Sequence, residues 1–245
     1  MTEHADDFSA STNARLDALI AASPPGSVAV FDADGTLWAD DIGESFFEWL
    51  IEGRRLLGVD YSRDIFADYV ALCERDKAVG YGSIGPIMAG IEEETLNRWC
   101  ADYFAAHFEA RIFKAQAALV DRLHGAGWQV WIVSASPRWI VAAGGVRLGI
   151  PAARSLGVDV VVEGGVLTDR LIEPVPCGPG KAALIEARVG VRPTLASGNA
   201  MTDLEMMLMA TGLTLAINPS EALREEATRR GWAVEHCRGP SSLVE

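Results

Sequence analysis

Ser27-Val28-Ala29-Val30-Phe31-Asp32-Ala33-Asp34-Gly35-Thr36-Leu37 is the stretch on which the fold turns. Its first five residues form a continuous β-rich apolar run, the composition of a parallel strand buried on both faces. Two carboxylates at i and i+2 close the run, and Gly35-Thr36 follow where the chain must turn. Asp and Gly are ordinary turn formers. Charges at the end of a buried strand are nonetheless costly unless they bind something, such as a cation.

Working outward, the apolar pattern returns at 128–133, 194–196 and 213–217. Helical periodicity fills 114–125, 137–148, 179–188, 200–209 and 219–230, and a short amphipathic helix at 12–22 precedes the first strand. Strands alternating with helices imply right-handed crossovers and an α/β fold with a doubly wound parallel sheet. Residues 157–172, with a Gly164-Gly165 turn, predict a small hairpin extending that sheet. Residues 40–113 carry no strong strand signal but hold helix-like stretches at 43–56, 63–77 and 92–107. The expected organisation is a core of residues 1–39 and 114–245 and an inserted all-helical cap of residues 40–113, set over the sheet's C-terminal edge where ligands bind.

Of the 245 residues 49% are hydrophobic, enough for one large core and a small second module. Lys and Arg number 21 against 34 Asp and Glu, a net charge of −13, which argues against nucleic acid or an anionic membrane as partner. Cys73, Cys100, Cys177 and Cys237 lie far apart without a CxxC pair and read as reduced packing thiols of a cytoplasmic protein. The four histidines show no zinc spacing. The acidic N-terminus has no signal-peptide run, and no stretch approaches a membrane span. A monomer or homodimer acting on a small molecule is expected.

Three further segments follow later strands. Ser134-Ala135-Ser136-Pro137 offers a hydroxyl and backbone N–H groups where a helix starts, a phosphate cradle, although Ser136 could simply cap that helix. Lys181 follows Cys177-Gly178-Pro179-Gly180. A lysine early in a helix opposes the helix dipole, so either a fixed anion stands beside it or it points to solvent. Ser197-Gly198-Asn199-Ala200-Met201-Thr202-Asp203 brings Asn199 and Asp203, which could also be plain helix-start residues. The topology converges all four loops on one sheet edge.

With these residues in place, the chain resembles the haloacid dehalogenase-like superfamily, and within it the phosphoserine phosphatase-like branch with a helical cap. DxDGT at 32–36 matches the first motif, Ser134 the second, Lys181 the third and Gly198–Asp203 the fourth, in order and across the whole length. The segments Ile132–Pro137, Leu167–Asp169 and Gly180-Lys181 also resemble that branch. The resemblance implies a phosphomonoester hydrolase acting on a small, amine-bearing metabolite of the phosphoserine, phosphocholine or phosphoethanolamine type. Asp32 would be the nucleophile and Asp34 the general acid and base. Ser134, the backbone at Ala135, and Lys181 would hold the phosphoryl oxygens. Mg²⁺ would be held by Asp32, the Asp34 carbonyl, Asn199 and Asp203, with Thr36 fixing the loop. One departure stands out: Asn199 replaces the usual Asp, removing one negative charge from the metal site. A catalytically weak protein of the same fold that binds a phosphorylated metabolite is the alternative.

Gly80-Tyr81-Gly82-Ser83-Ile84-Gly85 spells GxGxxG but follows a charged helix-like segment and precedes Pro86, so it reads as a cap loop and not a dinucleotide site. Gly178–Lys181 lacks the Ser/Thr and the earlier Gly of a P-loop. Dehalogenation would not need Asp34, and carbon–phosphorus cleavage needs a cap amine, for which Lys77 is the only lysine of 40–113. Residues 38–44, with Phe46, Phe47 and Trp49, are expected to face the leaving group. Asp41 falls where phosphoserine phosphatases place an acid for the substrate's amino group, although Asp40 and Asp41 also suit a helix start. Arg54, Arg55 and Arg75 are candidates for a carboxylate clamp.

Overall fold

The apolar runs become strands, and the polar residues after them sit at the strands' C-terminal ends. In the computed structural model, which describes residues 7–239, α1 (Ala10–Ala22) leads into β1 (Val28–Phe31). Four helices follow: α2 (Ile42–Glu52), α3 (Ile65–Arg75), α4 (Lys77–Ile87) and α5 (Glu93–His107). The chain returns through α6 (Lys114–Gly125), β2 (Gln129–Pro137), α7 (Arg138–Arg147), β3 (Ser155–Glu163) and β4 (Val166–Ile172). It ends with α8 (Pro179–Arg188), β5 (Leu195–Gly198), α9 (Leu204–Leu208), β6 (Leu213–Ile217), α10 (Glu221–Arg230) and β7 (Ala233–Glu235).

The seven strands lie in the order β4-β3-β2-β1-β5-β6-β7, parallel throughout except the β3–β4 hairpin. The chain leaves β1 toward β2 on one side and later fills β5 on the other. The strand order therefore reverses at β1, the position where such sheets bind ligands. Side-chain alternation in β1 shows the double covering. Ala29 and Phe31 pack with Leu16, Leu119 and Leu123 of α1 and α6, while Val28 and Val30 face Ile185 and Met206 of α8 and α9.

The four inserted helices share the larger of these cores, through Phe46, Phe47, Leu50, Tyr69, Ile84 and Phe104. Backbone bonds join them to the hairpin: Gly90 N donates to Leu167 O at 2.8 Å, Leu167 N to Ile91 O at 2.9 Å, and Glu93 N to Gly165 O at 2.8 Å. Arg138 adds a side-chain tie, its Nη2 2.6 Å from Glu93 Oε1 and its Nε 2.5 Å from Asp159 Oδ1.

Two local expectations are corrected, and one strand was not anticipated. The GxGxxG segment is part of helix α4, not a loop. Its glycines permit close packing: a Cβ on Gly80 would stand 2.6 Å from the backbone N of Cys73, and one on Gly85 2.9 Å from Val160 Cγ1. The chain after β2 stays extended through Pro137, so α7 starts at Arg138 and Ser136 is no helix cap. Finally β7, three residues long, carries too little pattern to be read in advance.

Candidate active site

Asp32 and Asp34 emerge from the C-terminal end of β1, Ser134 to Ser136 from β2, Asn199 from β5, and Lys181 from the first turn of α8. They meet at a cavity of about 150 Å³ that Asp32, Asp34, Ala135, Ser136, Lys181, Asn199 and Asp203 line from the sheet side. Asp41, Gly43 and Glu44 of the α2 start, Tyr69 of α3, and Tyr81 and Ile84 of α4 close it from the helical side.

Lys181 is 2% exposed and is anchored by two carboxylates, with Nζ 2.6 Å from both Asp32 Oδ1 and Asp203 Oδ1. These are the fixed anions that a lysine in a first helical turn needs, and they hold its pKa above the usual value although burial works the other way. Thr36 Oγ1 donates to the other oxygen, Asp32 Oδ2, at 2.9 Å. Burial and the neighbouring Asp203 and Asp34 push the Asp32 carboxyl up to about 7, against the pull of Lys181. Asp34 is also raised, by burial above all.

Asp34 is gripped at both oxygens. Trp38 Nε1 (2.9 Å) and Ile42 N (2.8 Å) donate to Oδ1, and the Ser136 hydroxyl (2.7 Å) and Ser134 hydroxyl (3.3 Å) donate to Oδ2. Ser134, expected to hold phosphoryl oxygens itself, is fully buried and does not line the cavity; its Oγ accepts from Ser136 N at 3.0 Å. The residues of that loop that line the cavity are Ala135 and Ser136. Gly43 permits this, since a Cβ there would lie 2.3 Å from Ser136 Oγ.

Asp203 Oδ2 accepts from the backbone N–H of both Asn199 and Ala200 at 2.9 Å, so protein donors engage both of its oxygens. Asn199 lies against the first loop, its Nδ2 2.1 Å from where a Cβ on Gly35 would stand. Asp41 both lines the cavity and caps α2, its Oδ1 accepting from Glu44 N at 2.8 Å. Asp41 thus combines the helix-start position with a place on the cavity wall.

The expected aromatic wall is different. Phe46 and Phe47 are about 1% exposed and point into the core, and Trp49 packs on Trp99 and Tyr103. Helical spacing explains this: Asp41 and Glu44, three apart, share the cavity face, whereas 46, 47 and 50 turn inward. The rings at the cavity are instead Tyr69 and Tyr81, brought from helices distant in sequence. The arginines lie elsewhere. Arg54 and Arg55 stack on Tyr61 and Trp49, and Arg75 is solvent-exposed.

The cavity gathers five carboxylates (Asp32, Asp34, Asp41, Glu44 and Asp203) around one ammonium. Such a surplus favours a hard cation. Among the described residues no cluster of three or more His, Cys, Asp or Glu forms a ready-made cage. An Asp32 carboxylate, the Asp34 carbonyl and an Asn199 amide instead make a sparse oxygen set of the kind Mg²⁺ accepts, because that ion retains several waters.

The chain is similar to a phosphoserine phosphatase of Mycobacterium tuberculosis (strain H37Rv), 28% identical over 192 residues, which are 75% of this chain and 56% of that protein. It is also similar to an inhibition of morphological differentiation protein of Streptomyces azureus, 30% identical over 238 residues, covering 91% of this chain and 83% of the other. In fold it matches a phosphoserine phosphatase structure described as a phospho-aspartyl intermediate analogue, with a TM-score of 0.56 at 15% identity over 82% of this chain and 91% of that one. The family model for haloacid dehalogenase-like hydrolases matches residues 29–208, which run from β1 through the charged loops to the end of α9, so the chain belongs to the haloacid dehalogenase-like hydrolase family.

Proposed function

We propose that this hydrolase is a Mg²⁺-dependent phosphatase that cleaves small, amine-bearing phosphomonoesters through an aspartyl-phosphate on Asp32. The observation that carries the reading is the pairing of Asp32 and Lys181 beside an Asp34 held by four donors at one cavity. Relatives named phosphoserine phosphatase support it.

Asp32 Oδ1 and Oδ2 are fixed by Lys181 and Thr36, so the carboxylate is oriented before substrate arrives. It attacks phosphorus in line, and the bond from phosphorus to the ester oxygen breaks. Lys181 and the backbone at Ala135 stabilise charge on the phosphoryl oxygens. Asp34 Oδ1 is committed as an acceptor by two N–H groups, whereas Oδ2 faces hydroxyls that can donate or accept. Oδ2 is therefore the atom that carries the proton to the leaving oxygen, and later removes one from the water that releases phosphate. Asp32, the Asp34 carbonyl and Asn199 would hold Mg²⁺, which supplies neutralisation of phosphoryl charge when bound. Asp203 acts through Lys181 and the 199–200 backbone. Asp41 faces the leaving group's amine. The helices of 40–113 act as the cap that shuts water from the cavity.

The test is phosphate release from a metabolite panel with Mg²⁺. EDTA abolishes release, and Asp32→Asn lowers it by at least about a thousandfold while keeping the wild-type circular dichroism spectrum. Near-full activity of Asp32→Asn would defeat the mechanism.

A further inference from the structure

We infer that the leaving group this site accepts carries an ammonium and no carboxylate: an aminoalkyl phosphate, with phospho-amino acids turned away. The inference rests on the phosphatase reading and deepens it. Its basis is the charge and size of the wall that faces the phosphoryl site.

Asp41 and Glu44, at the start of α2, line the same cavity as Lys181. Glu44 is oriented, since the Tyr69 hydroxyl donates to its Oε1 at 3.1 Å. It is therefore a fixed partner for a leaving-group cation and not a mobile surface acid. Tyr69 and Tyr81 line the same space, and aromatic rings are the side chains that attract ammonium groups.

A phospho-amino acid needs one more feature, a cation for its carboxylate. Lys181 is the sole Lys or Arg among the described residues lining the cavity, and it is already shared by Asp32 and Asp203. The arginines between α2 and α3 are held elsewhere: Arg55 lies 3.4 Å over the Trp49 ring and Arg54 5.4 Å over the Tyr61 ring, while Arg75 of α3 and Arg98 of α5 do not line the cavity. Arg63 pairs with Asp68. A substrate carboxylate would thus lie without a cationic partner in a small cavity beside two acidic side chains, an unfavourable arrangement at low local dielectric. At about 150 Å³ the cavity is also below the roughly 300–1,000 Å³ of sites for larger ligands, which disfavours sugar phosphates and nucleotides.

The test compares kcat/KM for phosphoethanolamine, phosphocholine, O-phosphoserine, n-propyl phosphate and p-nitrophenyl phosphate with Mg²⁺ present. n-Propyl phosphate matches phosphoethanolamine in shape without its charge. The better of the two amines exceeds O-phosphoserine by about a hundredfold or more. Glu44→Gln lowers the ratio of phosphoethanolamine to n-propyl phosphate by about tenfold, the cost of one desolvated charge pair. Using a ratio within one variant removes any general loss of activity. O-phosphoserine turned over as well as the amines, or a ratio unmoved in Glu44→Gln, overturns the inference and leaves the phosphatase reading standing. No release from any ester, p-nitrophenyl phosphate included, overturns both.

Discussion

Asp34 owes its position to two side chains that the motif does not contain, Trp38 and Ser136. Both bonds are charge-assisted, and losing one removes about 1.5–3 kcal/mol of positioning. Ser136→Ala is therefore expected to lower kcat about tenfold with little change in KM, as steady-state kinetics on p-nitrophenyl phosphate would show. A KM effect alone would place Ser136 in substrate binding instead. At position 199 the structure sets the amide beside Gly35, on the side of the cavity where the metal is expected. Asn199→Asp adds a ligand charge and should tighten apparent Mg²⁺ affinity about tenfold. An unchanged Mg²⁺ titration would put residue 199 outside the metal shell. Asp32 and Asp34 were legible in the sequence because charged residues at the end of an apolar strand have few structural uses, and Lys181 because a lysine in a first helical turn opposes the helix dipole unless an anion stands beside it. Ser136, Tyr69 and Tyr81 were not, because their roles arise only where separate elements converge.

At the scale of the element, α4 is the instructive case. Gly80, Gly82, Gly85 and Pro86 give it the poorest helix propensity of the inserted segments, which is why its sequence reads as a loop. Tertiary packing overrides propensity here. Those glycines let α4 seat against α3 and the β3–β4 hairpin, and the helix then delivers Tyr81 and Ile84 to the cavity. Gly80→Ala would drive a Cβ into the Cys73 backbone, too rigid to yield. The expected cost is about 1–3 kcal/mol of stability, together with a raised KM as Tyr81 moves. Denaturant unfolding and kinetics of the same variant check both, and a wild-type KM would separate α4 from substrate binding. The parallel strands β1, β2, β5 and β6, by contrast, were read correctly because burial on both faces leaves continuous apolar runs.

Across the whole molecule, a polar hub helps join the inserted helices to the sheet: Glu93 of α5 accepts from Arg138 and from Trp139 Nε1 (3.0 Å) at the start of α7. Burial would raise the Glu93 pKa, but the Trp139 and Arg138 donors prevail and hold it below its ordinary 4.5. A carboxyl depressed in the folded state stabilises the fold above its unfolded pKa, and that contribution is lost as pH falls through the folded value. The melting temperature of wild type should therefore exceed that of Glu93→Gln at neutral pH, with the gap closing below about pH 4.5. A gap independent of pH would mean that shape, not charge, makes the tie. The assignment of activity itself depends on Asp32, Asp34 and Lys181 meeting at one cavity. Its most direct test is an acid quench during turnover of radiolabelled p-nitrophenyl phosphate with Mg²⁺. The account predicts a hydroxylamine-labile phosphoryl label on the peptide containing Asp32, absent in Asp32→Asn. Turnover without any such label, or a label on another residue, would contradict it.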